Sequence, residues 1–290
     1  NLSHDTYAFD DNATPHGTYC LGLLTAQDTN YYPTAPKADF ILIKSEELQA
    51  ESPKEADNLV AALELCDSLA IDIISISLGY ALFDTVYPSF NYKDMNGRST
   101  RVSAATQIAA QKGMLVCVAA GNMGDNASWP WIMAPADADS ILTVGGVGED
   151  SIRATFSSQG PTADGRIKPD VAVLGKQTYL INPLTATFRY GNGTSFATPQ
   201  VAGLAASLWS ALPNETALQI RQRIIQSAHQ YSNPDNFIGY GIPDALLAFQ
   251  MNMETPHCLP YAPEKQTYKY IKNGQLIIIK NNKQYNILGL

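Results

Sequence analysis

Short apolar runs that suit strands alternate along this chain with longer amphipathic runs that suit helices, and that alternation limits the possible folds most. Strand-length runs fall at Asp39 to Lys44, Asp72 to Leu78, Met114 to Ala119 and Ile141 to Val147. Helices are predicted over Gly17 to Leu24, Lys54 to Leu69 and Thr100 to Lys112. Two long helices follow, about Thr194 to Ser210 and Glu215 to Gln230, with Pro213 and Asn214 between them. Strands separated by crossover helices pair in parallel, so the expected class is α/β, a mainly parallel sheet with helices on its faces. Residues 84–98 and 123–133, rich in Tyr, Asn, Asp, Trp and Met, read as surface loops.

With 290 residues, 45% of them apolar and 16% charged, the chain can bury a sizeable core. A net charge of −8 and the lack of any basic run argue against a nucleic-acid partner. No apolar segment approaches the ~20 residues that a transmembrane helix needs. Four cysteines are too few for a disulfide scaffold. Cys20, Cys66 and Cys117 lie in apolar contexts and read as small core residues, while Cys258 lies in a loop. The chain shows no signal-peptide pattern and no initiator Met, so it reads as a processed product or a fragment. Low charge, few lysines and abundant Gly, Asn and Tyr fit an exported protein.

The composition changes near Pro256. Residues 1–254 read as one domain, 255–265 as a Pro-rich linker, and 266–290 as a small three-stranded meander with turns at Asn273-Gly274 and Asn281-Asn282.

Chemistry concentrates in Gly191-Asn192-Gly193-Thr194-Ser195-Phe196-Ala197-Thr198-Pro199. Small residues let the backbone approach a ligand, and an apolar helix opens behind the serine. Free first-turn amides and the positive end of that helix would stabilise developing negative charge there. Pro199 is expected within the first turn, where a missing N–H costs nothing. Taken alone, Ser195 is a helix cap beside a glycine turn. The motif G-x-S-x-G of another hydrolase class is not met, because Ala197 stands where its second glycine belongs.

Acyl transfer to serine needs a base and an oxyanion donor. His16, in His16-Gly17-Thr18 with Gly22 beyond, is the candidate base, and Asn122, after the buried run Met114 to Gly121, is the candidate donor. His4 and His257 lie near the chain ends, and His229 is expected to end a helix, where a cation suits the dipole. His4, Asp5, Asp10, Asp11 and His16 are irregularly spaced in a polar segment, which suits a solvated loop better than a metal site.

These blocks, in the order His, Asn, Ser, resemble those of the subtilisin-like serine peptidases, or subtilases, family S8. The family's patterns are H-G-T-x-x-x-G, A-G-N and G-T-S-x-[AS]-x-P; Ser75 to Gly79, Phe156 to Pro161 and Lys168 to Val171 also match, so the likeness runs from about residue 13 to 250. It implies a subtilisin-like three-layer fold and a serine endopeptidase. Ser195 would be the nucleophile, His16 the base, and Asn122 with the Ser195 amide the oxyanion donors. Ser77, Leu78, Gly79 and Ala119, Ala120, Gly121 would pair with an extended peptide. In the histidine motif, a glycine after the histidine is expected to let the helix pack tightly. Met133, before Ala134-Pro135, falls where the family often has glycine at the base of the primary pocket, and should shorten that pocket.

The family's third group, an Asp after an upstream apolar strand, has no counterpart among the fifteen residues before His16. Its absence keeps a rival reading open, a non-catalytic subtilase-fold binding or assembly module. The natural chain is expected to be longer at its N-terminus, and its own N-terminal segment or propeptide is a candidate partner beside the peptide substrate. No cofactor is required. Structural calcium, common in the family, stays open because no D-x-D-x-D-G loop is present. The tail from Asn273 to Ile278 and Tyr285 to Gly289 is similar to C-terminal tails of exported Bacteroidetes proteins, which implies a secreted or cell-surface location and leaves a purely structural surface protein as a third reading.

Overall fold

The computed structural model describes residues 15–26, 31–47, 51–84, 86–181 and 187–251, with three further strands between 267 and 285. Four parallel strands, β1 (Ile73–Ile76), β2 (Leu115–Ala119), β3 (Leu142–Val147) and β4 (Val171–Leu174), lie side by side in that order. Ile74 pairs with Val116, Cys117 with Leu142, and Val144 with Val171. Every residue of β2 and β3 is buried, as a parallel sheet covered on both faces requires.

Alternation along β2 sorts its side chains between two cores. Val116 and Val118 pack with Leu59 and Leu63 of α2 (Pro53–Ser68) and Val102 of α3 (Arg101–Gln111). Leu115 and Cys117 pack with Val201, Ala205 and Leu208 of α4 (Thr194–Ala211) and with Ile220 and Ile224 of α5 (Ala217–Gln226). The result is three layers, helices on either side of one sheet.

Local chemistry starts these helices where they start. Before α2, the Ser52 amide donates to Glu55 Oε2 at 3.2 Å, the return arm of a capping box, and Pro53 opens the first turn. Thr100 Oγ1 accepts from Ser103 N before α3, and Thr216 and Gln219 cap each other before α5. A buried ion cluster then ties α5 to the sheet. Asp170, ahead of β4, accepts from Lys168 Nζ at 2.6 Å, Arg221 Nη2 at 2.8 Å and Thr143 N at 2.7 Å. Burial alone would push the Asp170 carboxyl up, but Lys168 and Arg221 hold it below the ordinary carboxylate range.

Several sequence expectations are corrected. Asp39 to Lys44 forms no strand, and Phe40, Ile41 and Leu42 are exposed. A strand exists only through its ladder, and none of the described residues pairs with this run or with the outer side of β1. The segments 84–98 and 123–133 do lie mostly at the surface without regular strands or α-helices, and Met95, Trp129 and Ile132 anchor them in the core. The helix expected to reach Gln230 ends at Gln226, and His229 beyond it accepts from Ile242 N at 2.9 Å through Nδ1. That bond, and not a place at the end of the helix, is what fixes the His229 ring.

Between β4 and α4 the chain makes an antiparallel hairpin, β5 (Thr178–Ile181) and β6 (Phe188–Gly191). A short helix, α6 (Ala245–Gln250), closes the domain. The tail forms an antiparallel sheet of β7 (Thr267–Lys272), β8 (Gln275–Lys280) and β9 (Lys283–Tyr285), with Tyr268 opposite Ile279 and Ile278 opposite Tyr285. The segment holding His4, Asp5, Asp10 and Asp11, and the linker with His257 and Cys258, lie outside the described residues. No helix among the described residues is long and apolar enough to cross a membrane.

Candidate active site

Parallel strands all end on one side of a sheet, and ligand sites gather outside their carboxyl ends. There β1 gives way to Ser77, Leu78 and Gly79, β2 to Ala120, Gly121 and Asn122, and α4 arrives with its N-terminus.

Gly193, just before α4, has φ of +155°, and its amide donates to Gly175 O at 2.8 Å. Thr194 then fixes Asn122, because its N and Oγ1 both donate to Asn122 Oδ1, at 2.8 and 3.0 Å. With the oxygen so occupied, the amide orientation is settled and Nδ2 is left facing Gly193. A side-chain carbon at 193 would stand 3.7 Å from Asn122 Nδ2 and 3.7 Å from Ser195 N. Two N–H donors therefore share one small space beside the serine. The Ser195 amide belongs to the first turn of α4, whose N–H groups have no intrahelical acceptor.

Ser195 is nearly buried, and its Oγ donates to Ser77 O at 3.3 Å. Its carbonyl accepts from Ser77 Oγ at 2.8 Å and Cys20 Sγ at 3.3 Å. The expected place of Pro199 is corrected here, since it sits inside α4, four residues after Ser195, beyond the first turn. A residue with an N–H at 199 would donate to Ser195 O; proline cannot, and the two side chains supply what is missing. Burial pushes the Cys20 thiol up to about 11, so it stays protonated as that bond requires. Cys66 and Cys117 are core residues, whereas half-buried Cys20 belongs to this site.

His16 opens α1 (His16–Thr25), which packs against α4. Its ring centroid lies 5.9 Å from that of Phe196. Desolvation by burial lowers its pKa below the ordinary imidazole value. Among the described residues no hydrogen bond joins the imidazole to Ser195, whose hydroxyl is engaged by Ser77. Unliganded catalytic pairs are commonly loose and tighten with substrate. Among the described residues no atom lies within 4 Å of where a Cβ on Gly17 would be, so none of them makes the tight packing expected of this glycine.

Met133 sits between the two strand ends. Its amide donates to Ala120 O at 3.2 Å, and Ala134 pairs with Tyr80 through bonds of 2.7 and 3.0 Å. A Cβ at Gly79 would stand 3.1 Å from Met133 Cβ, and one at Gly121 would stand 2.9 Å from its Sδ. The thioether thus fills the space between Ser77 to Gly79 and Ala119 to Gly121. Gly121 has φ of +110°, so it needs glycine for its backbone as well as for this contact.

The structure gathers His16, Asn122 and Ser195 around the start of α4. Sequence reasoning missed the orienting role of Thr194, the carbonyl donors Ser77 and Cys20, and the ring contact of Phe196. The helical spacing of Ser195 and Pro199 held the only signal for the carbonyl donors. Among the described residues there is no group of three or more side chains able to hold a metal ion.

The sequence profile of peptidase S8, the subtilase family, matches residues 1–241. Subtilisin DY of Bacillus licheniformis is 33% identical over 229 residues, covering 78% of this chain and 74% of that one. The serine protease AprX of Bacillus subtilis (strain 168) is 28% identical over 276 residues, covering 84% of this chain and 59% of AprX. The chain likewise spans 58% of subtilisin E, so these two relatives extend well beyond the shared region. Among solved structures, MycP1 with its N-terminal propeptide removed has a TM-score of 0.66 at 23% identity, over 84% of this chain and 82% of that one. The self-cleaved protease domain of PatA gives 0.64 at 23% identity, over 81% and 82%. Both share the three-layer fold described above. With most of its length matched by the family profile, the chain belongs to the subtilases, the subtilisin-like serine endopeptidases.

Proposed function

We propose that this domain cleaves extended peptides through an acyl-enzyme on Ser195. The observation that carries the assignment is the convergence of Asn122 Nδ2 and Ser195 N on the space beside Gly193. Ser195 Oγ attacks the scissile carbonyl carbon, and His16 takes the hydroxyl proton. The carbonyl oxygen gains the negative charge and accepts hydrogen bonds from both donors. When the intermediate collapses, the C–N bond breaks and His16 returns the proton to the leaving amine. Water then repeats the cycle on the ester and frees Ser195.

The substrate strand lies along Ser77, Leu78 and Gly79 on one side and Ala119, Ala120 and Gly121 on the other. Met133 shortens the pocket between them. No residue of this chain is given the role of the carboxylate that orients the imidazole. The site acts outside the cell, with the β7–β9 tail as an export signal, and an upstream segment or propeptide is a natural partner. The reaction calls for no cofactor, and calcium in such a site would be structural.

The test is labelling with a fluorophosphonate, which traps a serine activated in this way. Mass spectrometry should find the adduct on Ser195, absent in Ser195→Ala and slowed strongly in His16→Ala. Asn122→Ala should slow it by about 10²–10³. An adduct elsewhere, or labelling indifferent to His16, would overturn the assignment and favour a binding module.

A further inference from the structure

The last element before the linker, α6, displays three large apolar side chains to solvent. Leu246 is 63% exposed, Leu247 47% and Phe249 48%, and among the side chains of α6 only Ala248 is buried. The helix is fixed in place. Asp244 Oδ1 accepts from Leu247 N at one end, and at the other the buried Arg223 donates from Nη1 to Ala248 O and Met251 O, at 2.9 and 2.6 Å. Glu215 holds the same guanidinium. The apolar side of α6 is therefore a firm surface.

The tail sheet has the complementary shortage. It spans only residues 267–285 and contains no cysteine. Units below ~40 residues seldom fold without a disulfide, a metal or a partner surface. Its middle strand carries the apolar run Leu276-Ile277-Ile278-Ile279. Charge adds direction. Residues 267–290 hold four lysines and no acid, in a chain of net charge −8. Residues 252–266 connect the two, a reach of at most about 50 Å when extended. A tether of that length gives an intramolecular partner an effective concentration of the order of millimolar.

We propose that the β7–β9 sheet docks on the Leu246, Leu247 and Phe249 face of α6 in the same molecule. The docked state stabilises the sheet and covers the patch. Two measurements on the full chain test this. A photoreactive p-benzoylphenylalanine placed at position 249 should cross-link to a peptide within 267–285 while the product keeps the mass of one chain. Amide exchange in 267–285 should quicken by about tenfold or more in the Leu246→Ser, Leu247→Ser, Phe249→Ser variant, with α4 and α5 amides unchanged as the control for folding. Cross-links that double the mass assign the patch to a second copy and overturn the proposal. So do cross-links to other segments, no cross-link at all, or unchanged exchange in the tail.

Discussion

Ser77 and Ser195 exchange hydrogen bonds between the end of β1 and the start of α4, each hydroxyl donating to the other's carbonyl, at 2.8 and 3.3 Å. The first of these bonds stands in for the helical bond that Pro199 cannot make. Ser77→Ala should therefore cost about 1 kcal/mol, the net worth of one hydrogen bond. In a Pro199→Ala background the restored amide satisfies the same carbonyl, and the cost should fall by about half or more. Denaturant unfolding of the wild type, both single variants and the double variant measures this coupling. Strict additivity would show that the two groups do not serve one acceptor.

The proposed role of Met133 is to shorten the pocket before the scissile bond. Met133→Gly should open it, since the contacts at Gly79 and Gly121 come from that side chain. Relative kcat/KM for peptides with Phe or Tyr before the scissile bond should rise by about 10-fold or more. Cleavage profiling with a peptide library reads this. A wild type that already strongly prefers those residues would show that Met133 does not limit the pocket.

For His16, desolvation is the cause of the lowered pKa. A lowered value means the neutral ring persists to more acid pH, so its NMR titration midpoint should lie below 6.5. The wild-type spectrum compared with His16→Gln identifies the resonance. A midpoint above 6.5 would mean that an anion close to the ring outweighs burial.

Asp170 supports an acid-sensitive part of the stability. Its folded pKa is depressed, so its contribution is complete above the unfolded value, about 3.9, and is lost as pH falls through the lower folded value. Asp170→Asn leaves Lys168 and Arg221 without their anion and should cost about 3–5 kcal/mol at neutral pH. Unfolding free energies from pH 7 to 2 should converge for the two proteins at the acid end. A constant gap would place the effect in packing and not in charge.

The layers of the fold and the ends of most helices were legible because periodicity and capping residues are local signals. The β5–β6 hairpin was not, since Thr178 to Gly191 mixes aromatic, charged and small residues without clean alternation. The run at Asp39 to Lys44 shows the opposite failure. Its residues suit a strand, yet pairing is a property of neighbours and not of the run itself. In the site, the motifs placed His16, Asn122 and Ser195 in one neighbourhood. They could not reveal that Thr194 orients Asn122, or that Ser195 leans on β1, because those links are made between residues 72 and 118 positions apart.

The outer side of β1, with Ser75 exposed on it and Phe40 to Leu42 bare to solvent, has a bearing on how the protein behaves at high concentration. Among the described residues nothing pairs with that edge, and an unpaired edge with apolar residues alongside readily takes up a further strand, from the same chain or from another. A net charge of −8 works against an encounter between two copies. Salt shortens the range of that repulsion to about 8 Å at physiological strength. Where no strand of the same chain fills that edge, ionic strength should therefore govern how readily two copies meet there.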